Sequence, residues 1–446
     1  MPELSFQMEW QGTGSGRDET GATQGRLRIL AGSTCLTRHE DTLAGEVRDE
    51  VLVSAYPLAL WMASSWWRLV HEVLPVQELT HDWCMAHELG AANHGYVWPH
   101  VLLASEGEAI NVWAHPTSDK AQSVRYLNGT DGAVSVPIGQ FQESVAGFIG
   151  QVLARLEAGG LAQSDLAAIW SFIEQDTATP AERRRRRIEA ALGFDPEESP
   201  DDVLAEALAV EDRIGTQALH EFAPLLTPSH GASCLALVEQ LDRDEGLLGT
   251  PEIDYLEGQD TIRNAPWMPW EKGVRMARLL RRQINRSPRE PLPSDELLGL
   301  LGLGLPQASE WQDRKRLPAG VAIPAGQDGS YRFVTRKRHP QALRFEFARL
   351  LGAHLDRPES SSTWLAETDA FTSAQKYQRA FAAELLAPID GVVNFVAGDY
   401  GSHAIAEAAR NFEVSDKLVR SLLANNGFIP QAQAGAGTEP RLPAGY

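Results

Sequence analysis

Apolar residues follow two different periods along this chain. Across Leu4–Trp10 they alternate with polar residues, as in a β-strand that buries one face. Over residues 144–156 they recur every three or four residues, which is the period of an amphipathic helix. A chain of 446 residues is too long for one core, so two or three domains are expected. The pattern predicts a multidomain α+β protein.

Residue composition and hydrophobic pattern divide the chain into segments. The first carries seven of the twelve tryptophans and a hairpin pattern over residues 95–113, and we interpret Trp61, Trp66 and Trp67 as core residues. The predicted segments are a strand-bearing N-terminal domain at 1–137, a helical middle domain at 138–315, a mostly helical C-terminal domain at 316–430 and a flexible tail at 431–446.

Composition limits the partners and the compartment. Lys and Arg number 40 against 60 Asp and Glu, and the net charge of −20 disfavours a protein that coats nucleic acid or anionic lipid. Three distant cysteines give no disulfide framework, which favours a reducing compartment. The longest uncharged stretch, residues 51–67, is interrupted by Pro57 and is short of the roughly 20 apolar residues that a membrane span needs. We expect a cytoplasmic protein without a membrane partner.

The C-terminal quarter contains helical elements in a fixed order. Residues 341–355 place leucines and phenylalanine on one stripe, and residues 373–387 form a second helix that ends at Pro388. Ser415 is a good N-cap for a last helix, and residues 412–415 join two helices with helix-turn-helix spacing.

These motifs resemble the ImmA/IrrE family of bacterial and phage metallopeptidases. Residues 344–353 (Arg-Phe-Glu-Phe-Ala-Arg-Leu-Leu-Gly-Ala) are similar to the family helix Arg-Phe-x-x-Ala-His-Glu-Leu-Gly-His. Residues 381–388 (Phe-Ala-Ala-Glu-Leu-Leu-Ala-Pro) are similar to its second helix, and residues 412–415 to its Phe-x-Val-Ser segment. The resemblance covers the last quarter of the chain and implies a zincin-like domain with a zinc peptidase site.

The chain departs from this family at the catalytic positions. The two family histidines and the catalytic glutamate fall at Arg349, Ala353 and Leu350, and the third ligand falls at Tyr377. Arginine does not deprotonate and cannot ligate zinc. We therefore expect no catalytic residues and no cofactor at these positions.

What remains of the site is a candidate groove. Its polar residues are Arg344, Glu346, His354 and Glu384. A substitute zinc site built from them is disfavoured, because Glu346 and His354 differ in direction by about 80° on an ideal helix.

A second histidine-rich segment lies in the N-terminal region. Residues 86–91 (Ala-His-Glu-Leu-Gly-Ala) begin like the peptidase motif, but the second histidine is missing. If this stretch is helical, His81, Cys84, His87 and His94 fall on related faces and form an alternative zinc site. Packing or capping roles for them are favoured.

A run of five arginines at residues 183–187 includes the nucleic-acid candidates Arg183 and Arg185. Five consecutive residues surround a helix, so they cannot all face one duplex. A solvated helix is the favoured interpretation.

The last helix carries two further candidates, Lys417 and Arg420. Glu407, Glu413 and Asp416 are close by in the sequence and would repel phosphate. A structural or protein-binding role is favoured, and nucleic-acid binding stays an open alternative.

The combined hypothesis is a catalytically inactive, ImmA/IrrE-like regulatory or scaffolding protein that binds a protein partner. By resemblance, the partner is a helix-turn-helix repressor or a subunit of a stress-response, phage-defence or mobile-element system. The alternatives are an active zinc metallopeptidase with non-standard ligands that cleaves a repressor, and a DNA-binding transcriptional regulator.

Overall fold

A computed structural model describes residues 3–12, 18–76, 78–226, 233–304, 317–326, 329–357 and 363–431. The chain divides into two compact units, of which the first holds residues 1–208 and the second residues 209–226 and 230–440. The division falls inside the predicted middle domain, residues 138–315, whose first part belongs to the first unit. Apart from Gln431, the predicted tail lies outside the described residues.

The fold mixes α and β structure, as the two hydrophobic periods predict. Strands of the first unit are β1 Leu4–Trp10, β2 Gln24–Ala31, β3 Thr34–Cys35, β4 His39–Asp41, β5 Glu46–Arg48, β6 Val51–Ser54, β7 His100–Ser105, β8 Ala109–His115, β9 Val124–Tyr126 and β10 Val134–Pro137. They form three antiparallel sheets: β1-β2-β3 with β6 also on β2, β5-β4-β9, and β10-β8-β7. The pair β7–β8 is the hairpin that the sequence predicts.

Helices cover these sheets and complete the first core. They are α1 Glu19–Ala22, α2 Ala55–Ser64, α3 Trp66–His71, α4 His81–His87, α5 Ile138–Ala158, α6 Asp165–Ala178, α7 Pro180–Ala191 and α8 Asp201–Ile214, the last of which runs past the division between the units. Phe6 of β1 stacks on Phe148 of α5, with ring centroids 4.9 Å apart. Trp61, Trp66 and Trp67 are all buried, so their interpretation as core residues is confirmed.

The second unit has one antiparallel sheet, in the order β11-β13-β12-β14. Its strands are β11 Leu247–Gly249, β12 Gly320–Pro324, β13 Tyr331–Val334 and β14 Leu365–Glu367. Its helices are α9 Thr216–Phe222, α10 Cys234–Asp242, α11 Gln259–Arg263, α12 Pro269–Gln283, α13 Ser294–Leu300, α14 Pro340–Asp356, α15 Ser373–Leu386, α16 Ile389–Val396, α17 Ser402–Asn411 and α18 Asp416–Asn425.

Helix α14 has the apolar stripe that the sequence predicts. Leu343, Phe347, Leu351 and Leu355 are buried in the core of the second unit, and the Phe347 ring meets Phe333 of β13 edge to face at 6.4 Å. Helix α15 packs along α14 and along α12. None of the helices in the described ranges is both long enough and apolar enough to cross a bilayer.

Candidate functional site

Arg349 of α14 lies at the centre of a buried polar cluster in the second unit. Its side chain is 3% exposed, and its guanidinium donates to the carboxylate of Glu367 on β14. The same guanidinium donates to the Thr368 carbonyl at 2.8 Å and to the side-chain oxygen of Gln375 on α15. One cation therefore joins a helix, an edge strand and a second helix.

A second guanidinium engages the same carboxylate. Arg336, which follows β13, donates to both oxygens of Glu367, at 2.6 and 2.9 Å. It also donates to both oxygens of Asp369, each at 2.6 Å. Bidentate pairs of this kind are the strongest arginine–carboxylate contacts. The result is a chain of alternating charges from Arg349 through Glu367 and Arg336 to Asp369.

These contacts set the protonation of the two acids. Burial by itself would raise the pKa of Glu367, but the charge of Arg349 and the bonds from Arg336 lower it below the ordinary value. Asp369 is more than half exposed, and the bonds from Arg336 hold the pKa of its carboxyl well below the usual range. Both acids are ionised at neutral pH and balance the two guanidiniums.

Glu346 is a third carboxyl at this cluster. Its two oxygens accept the backbone N–H groups of Arg336 at 2.9 Å and Lys337 at 3.0 Å, so the side chain holds the connection between β13 and α14. It is 1% exposed, and a Cβ placed on Gly320 would lie 2.1 Å from Glu346 and 3.3 Å from Glu367. Burial, and next the charge of Glu367, raise the pKa of Glu346 to about 8.

The other positions that match the family ligands carry two aliphatic side chains and one buried phenol. Leu350 is fully buried in the core of the second unit, and the partly buried Ala353 packs against this core. Tyr377 of α15 is 3% exposed and stacks on Phe381 at 6.2 Å, and its hydroxyl finds no partner within the described part of the chain. Burial raises the pKa of this phenol, so it stays neutral.

Two residues of the candidate groove, Arg344 and Glu384, are bonded to other elements of the second unit. Arg344 donates to the Ser294 hydroxyl of α13 at 2.8 Å and pairs with Glu413 at 3.1 Å. Glu384 accepts from Arg278 of α12 at 2.6 Å and from the Ile389 N–H at 3.2 Å. The structure thus places both as buried ties between elements.

His354 lies at the other end of α14 and is 1% exposed. Its Nε2 lies 3.2 Å from the Ile253 carbonyl and 3.1 Å from the Asp254 carboxylate, and its Nδ1 accepts from the Arg357 guanidinium. A ring nitrogen that accepts from a guanidinium carries no proton, so the imidazole is neutral. Burial, followed by the charge of Arg357, lowers the pKa of His354 to about 4.

The N-terminal histidines do not share one helical face. Helix α4 ends at His87. His94 lies beyond a following 3₁₀ turn, and its own φ is 55°. Both ring nitrogens of His87 are occupied, by the Leu103 carbonyl at 2.8 Å and the Glu72 carboxylate at 2.9 Å. Across the described residues, no group of three or more His, Cys, Asp or Glu side chains is arranged to hold a metal ion.

The other two members of that set are on the surface side of α4. His81 at its first position is exposed, whereas Cys84 is half-buried. Burial raises the pKa of the Cys84 thiol, which keeps it protonated and weakens it as a metal ligand.

The arginine run forms part of α7, and its members face different directions. Arg183 is exposed, whereas Arg186 is buried and pairs with Asp176, Glu189 and Glu197 at 2.7 to 2.9 Å. Arg185 lies 3.7 Å from Glu189. The run therefore offers no continuous cationic face.

The C-terminal helices α17 and α18 meet at the predicted turn. Ser415 caps α18 by accepting the Leu418 N–H at 3.2 Å, as the sequence predicts. Lys417 is exposed on this helix, and Arg420 donates to Ser402 at 3.0 Å. Glu413, at a φ of 54°, occupies the turn itself.

Comparison of the chain with protein-family models, with curated proteins and with solved structures found no match. The chemistry of the cluster therefore follows from its own geometry. Arg349, Glu367, Arg336 and Asp369 form a closed set of charge-assisted hydrogen bonds, and each charge already has its partner. Such a set fixes three elements in place.

Proposed function

We propose that this chain is a non-catalytic, ImmA/IrrE-like regulatory or scaffolding protein that recognises a protein partner. In this proposal residues 316–430 form a zincin-like domain whose zinc site has been replaced. The order of elements supports it: the hairpin β12–β13 precedes α14, and β14 and α15 follow. Helix α14, helix α15 and then the turn at residues 412–415 stand in the order of the motifs that carry the resemblance.

One observation carries the proposal. At the position that matches the first zinc-ligating histidine, the Arg349 guanidinium is buried and bonded to Glu367, Thr368 and Gln375. A guanidinium keeps its positive charge at any physiological pH. It supplies at this point the cationic anchor that a metal ion supplies in a zincin, and it has no lone pair to offer a metal.

Electrostatics oppose a metal ion at the same place. A divalent cation beside α14 would be repelled by both Arg349 and Arg336. The closest ionised acid, Glu367, already accepts from both of them. Binding zinc there would leave a guanidinium buried without its carboxylate, which costs several kcal/mol.

Partner recognition is the function left to such a domain. By the family resemblance, the partner is a helix-turn-helix repressor or a subunit of a phage-defence, mobile-element or stress-response system. The net charge of −20 and the acids around α18 favour a protein partner over nucleic acid.

Metal quantification tests the non-catalytic part of the proposal. Full-length protein from zinc-supplemented cells is expected to contain far less than one zinc per chain. His354→Ala tests whether any bound zinc uses the substitute ligand, and His403→Ala, at an exposed histidine of α17, is the matched control. Stoichiometric zinc that His354→Ala removes and His403→Ala retains would overturn the proposal.

Incubation with a helix-turn-helix repressor encoded beside the gene tests the proposed binding of a protein partner. We expect a complex on size-exclusion chromatography and an intact repressor on mass spectrometry. Cleavage that a chelator suppresses would instead establish the active peptidase. A salt-sensitive gel shift with DNA and no protein complex would favour the transcriptional regulator.

A further inference from the structure

Helix α12 and the turn after it hold an unusual concentration of positive charge. From Lys272 to Arg289 the sequence contains seven basic residues and no acidic one, in a chain where acids outnumber bases by 60 to 40. Charge of the opposite sign to the rest of the surface marks a place where an oppositely charged partner can be attracted.

Part of this charge is used inside the second unit. Arg281 is 2% exposed and donates to the Leu385, Ser287 and Glu290 carbonyls, each at 2.5 Å. Arg278 pairs with Glu384, and Arg286 pairs with Glu296. These three arginines tie α12 to its neighbours and are not free to bind another molecule.

Two arginines of the helix are not used in this way. Arg275 and Arg282 are exposed, and no carboxylate within the described ranges pairs with either of them. They lie seven residues apart, so on an α-helix they differ in direction by about 20° and are separated by roughly 10 Å along the axis. We call this pair the α12 arginine face.

The helix that carries the arginine face is tightly packed, and one of the two guanidiniums, that of Arg275, is already oriented. Helix α12 packs so closely on α15 that a Cβ on Gly273 would lie 2.4 Å from the Tyr377 carbonyl oxygen. The Arg275 guanidinium stacks on the Trp267 indole, with its central carbon 3.9 Å from the ring centroid. A guanidinium that is already oriented loses less entropy when it binds, and arginine is over-represented at the energetic centres of protein interfaces.

We infer that the α12 arginine face binds an acidic, carboxylate-bearing segment of a protein partner. Each guanidinium can take a carboxylate in bidentate geometry, and the partner needs acids about 10 Å apart, as on successive heptads of a helix. The inference rests on the proposed protein-binding function and names the chemistry of the partner's surface.

Charge distribution favours a protein segment over nucleic acid as the occupant. Duplex DNA carries a charge about every 1.7 Å and would extend beyond two arginines onto a surface that is acidic overall. A short acidic segment can place its few carboxylates on the arginine face alone and avoids that repulsion.

The test uses the full-length protein and a labelled, helical, alanine-based peptide whose glutamates repeat at the spacing of the two arginines. Fluorescence anisotropy measures its affinity at low salt for the natural protein and for Arg275→Glu/Arg282→Glu. The matched control is Arg243→Glu/Arg410→Glu, which makes the same change in net charge at two other exposed arginines of the second unit. A glutamine version of the peptide and an oligothymidylate of similar length complete the set.

We expect the glutamate peptide to bind the natural protein and the control variant, and to bind the arginine-face variant at least about tenfold more weakly. Equal loss in both variants, or no loss in either, would overturn the inference, as would tighter binding of the oligothymidylate or of the glutamine peptide. A partner captured equally by the natural protein and the arginine-face variant would overturn the inference while leaving the proposed function standing. Light scattering tests whether the protein associates with a second copy of itself. If only the arginine-face variant loses such self-association, the arginine face binds that second copy and the inference is overturned.

Discussion

The guanidinium of Arg349 and the carboxylate of Glu367 form an ion pair in which both residues are 3% exposed or less. The residues lie on α14 and β14, on either side of a connection, so their pairing fixes the edge strand against the helix. Both charges are largely removed from water, so each is stabilised by its hydrogen-bond partners, and the other member of the pair is one of them. The pair thus contributes to the local stability of this region.

Replacing Arg349 by methionine is expected to destabilise the second unit by about 3–5 kcal/mol, because it leaves part of the Glu367 charge buried without its partner. Urea denaturation followed by circular dichroism measures this loss. Arg410→Met, at an exposed arginine of α17, should change the free energy of unfolding by less than about 0.5 kcal/mol. Equal effects of the two substitutions would contradict the role given to Arg349.

Local sequence signals were sufficient to predict the helices around the site. The apolar stripe predicts residues 341–355 as a helix, and α14 spans Pro340–Asp356. Pro388 predicts the end of the next helix, and α15 ends at Leu386. Both signals depend only on neighbours within a few turns, which is why a single sequence reveals them.

The partners of Arg349 were not predicted. β14 has three residues, too few to show a period, and its pairing with β12 is a long-range contact. One signal was nevertheless present: an arginine among the mostly apolar residues of a helix needs buried acceptors, and a carboxylate is the strongest of them. Glu359, Glu367 and Asp369 lie between the two helices in the sequence and were the acids to consider.

Acid should destabilise the protein through His354. Burial, then Arg357, lowers the pKa of this imidazole from 6.5 to about 4, so the unfolded chain takes up a proton first as the pH falls. Stability is therefore fully present above pH 6.5 and is lost progressively towards pH 4, by roughly 3 kcal/mol.

The titration of His354 is isolated by comparing the natural protein with His354→Gln. The free energy of unfolding of each is measured between pH 6.5 and pH 4. Since glutamine does not titrate, the difference between the two proteins should shrink as the pH falls from 6.5 to 4. His403→Gln is the control and should leave the curve of the natural protein unchanged, because His403 is 84% exposed. A constant difference between the natural protein and His354→Gln would show that His354 does not titrate in this way.

The contribution of Glu346 to stability should change with pH in the opposite direction to that of His354. Burial and the Glu367 charge raise its pKa from 4.5 to about 8, so the folded protein keeps a proton that the unfolded chain has released. This contribution to stability falls as the pH rises from 4.5 to 8. The variant Glu346→Gln removes the titration, and the advantage of the natural protein over it should therefore diminish across that interval.

At pH 5 the same substitution should also lower the stability through the hydrogen bonds of Glu346. Both oxygens of Glu346 accept backbone N–H groups, and an amide has only one oxygen to offer them. We expect Glu346→Gln to be less stable by about 1–3 kcal/mol at pH 5. A variant as stable as the natural protein at pH 5 would show that these two hydrogen bonds are dispensable.

The absence of a side chain at Gly320 is required by the carboxyl of Glu346. A Cβ at this position would lie 2.1 Å from the Glu346 oxygen, which is far inside van der Waals contact, and that oxygen is fixed by the Arg336 N–H. Gly320→Ala is therefore expected to lower the free energy of unfolding by about 1–3 kcal/mol through overpacking. Gly299→Ala is the matched control, because Gly299 lies in α13 with open space around it. Alanine there should stabilise the helix by up to about 1 kcal/mol, so opposite signs for the two substitutions in thermal denaturation would support this packing and equal signs would contradict it.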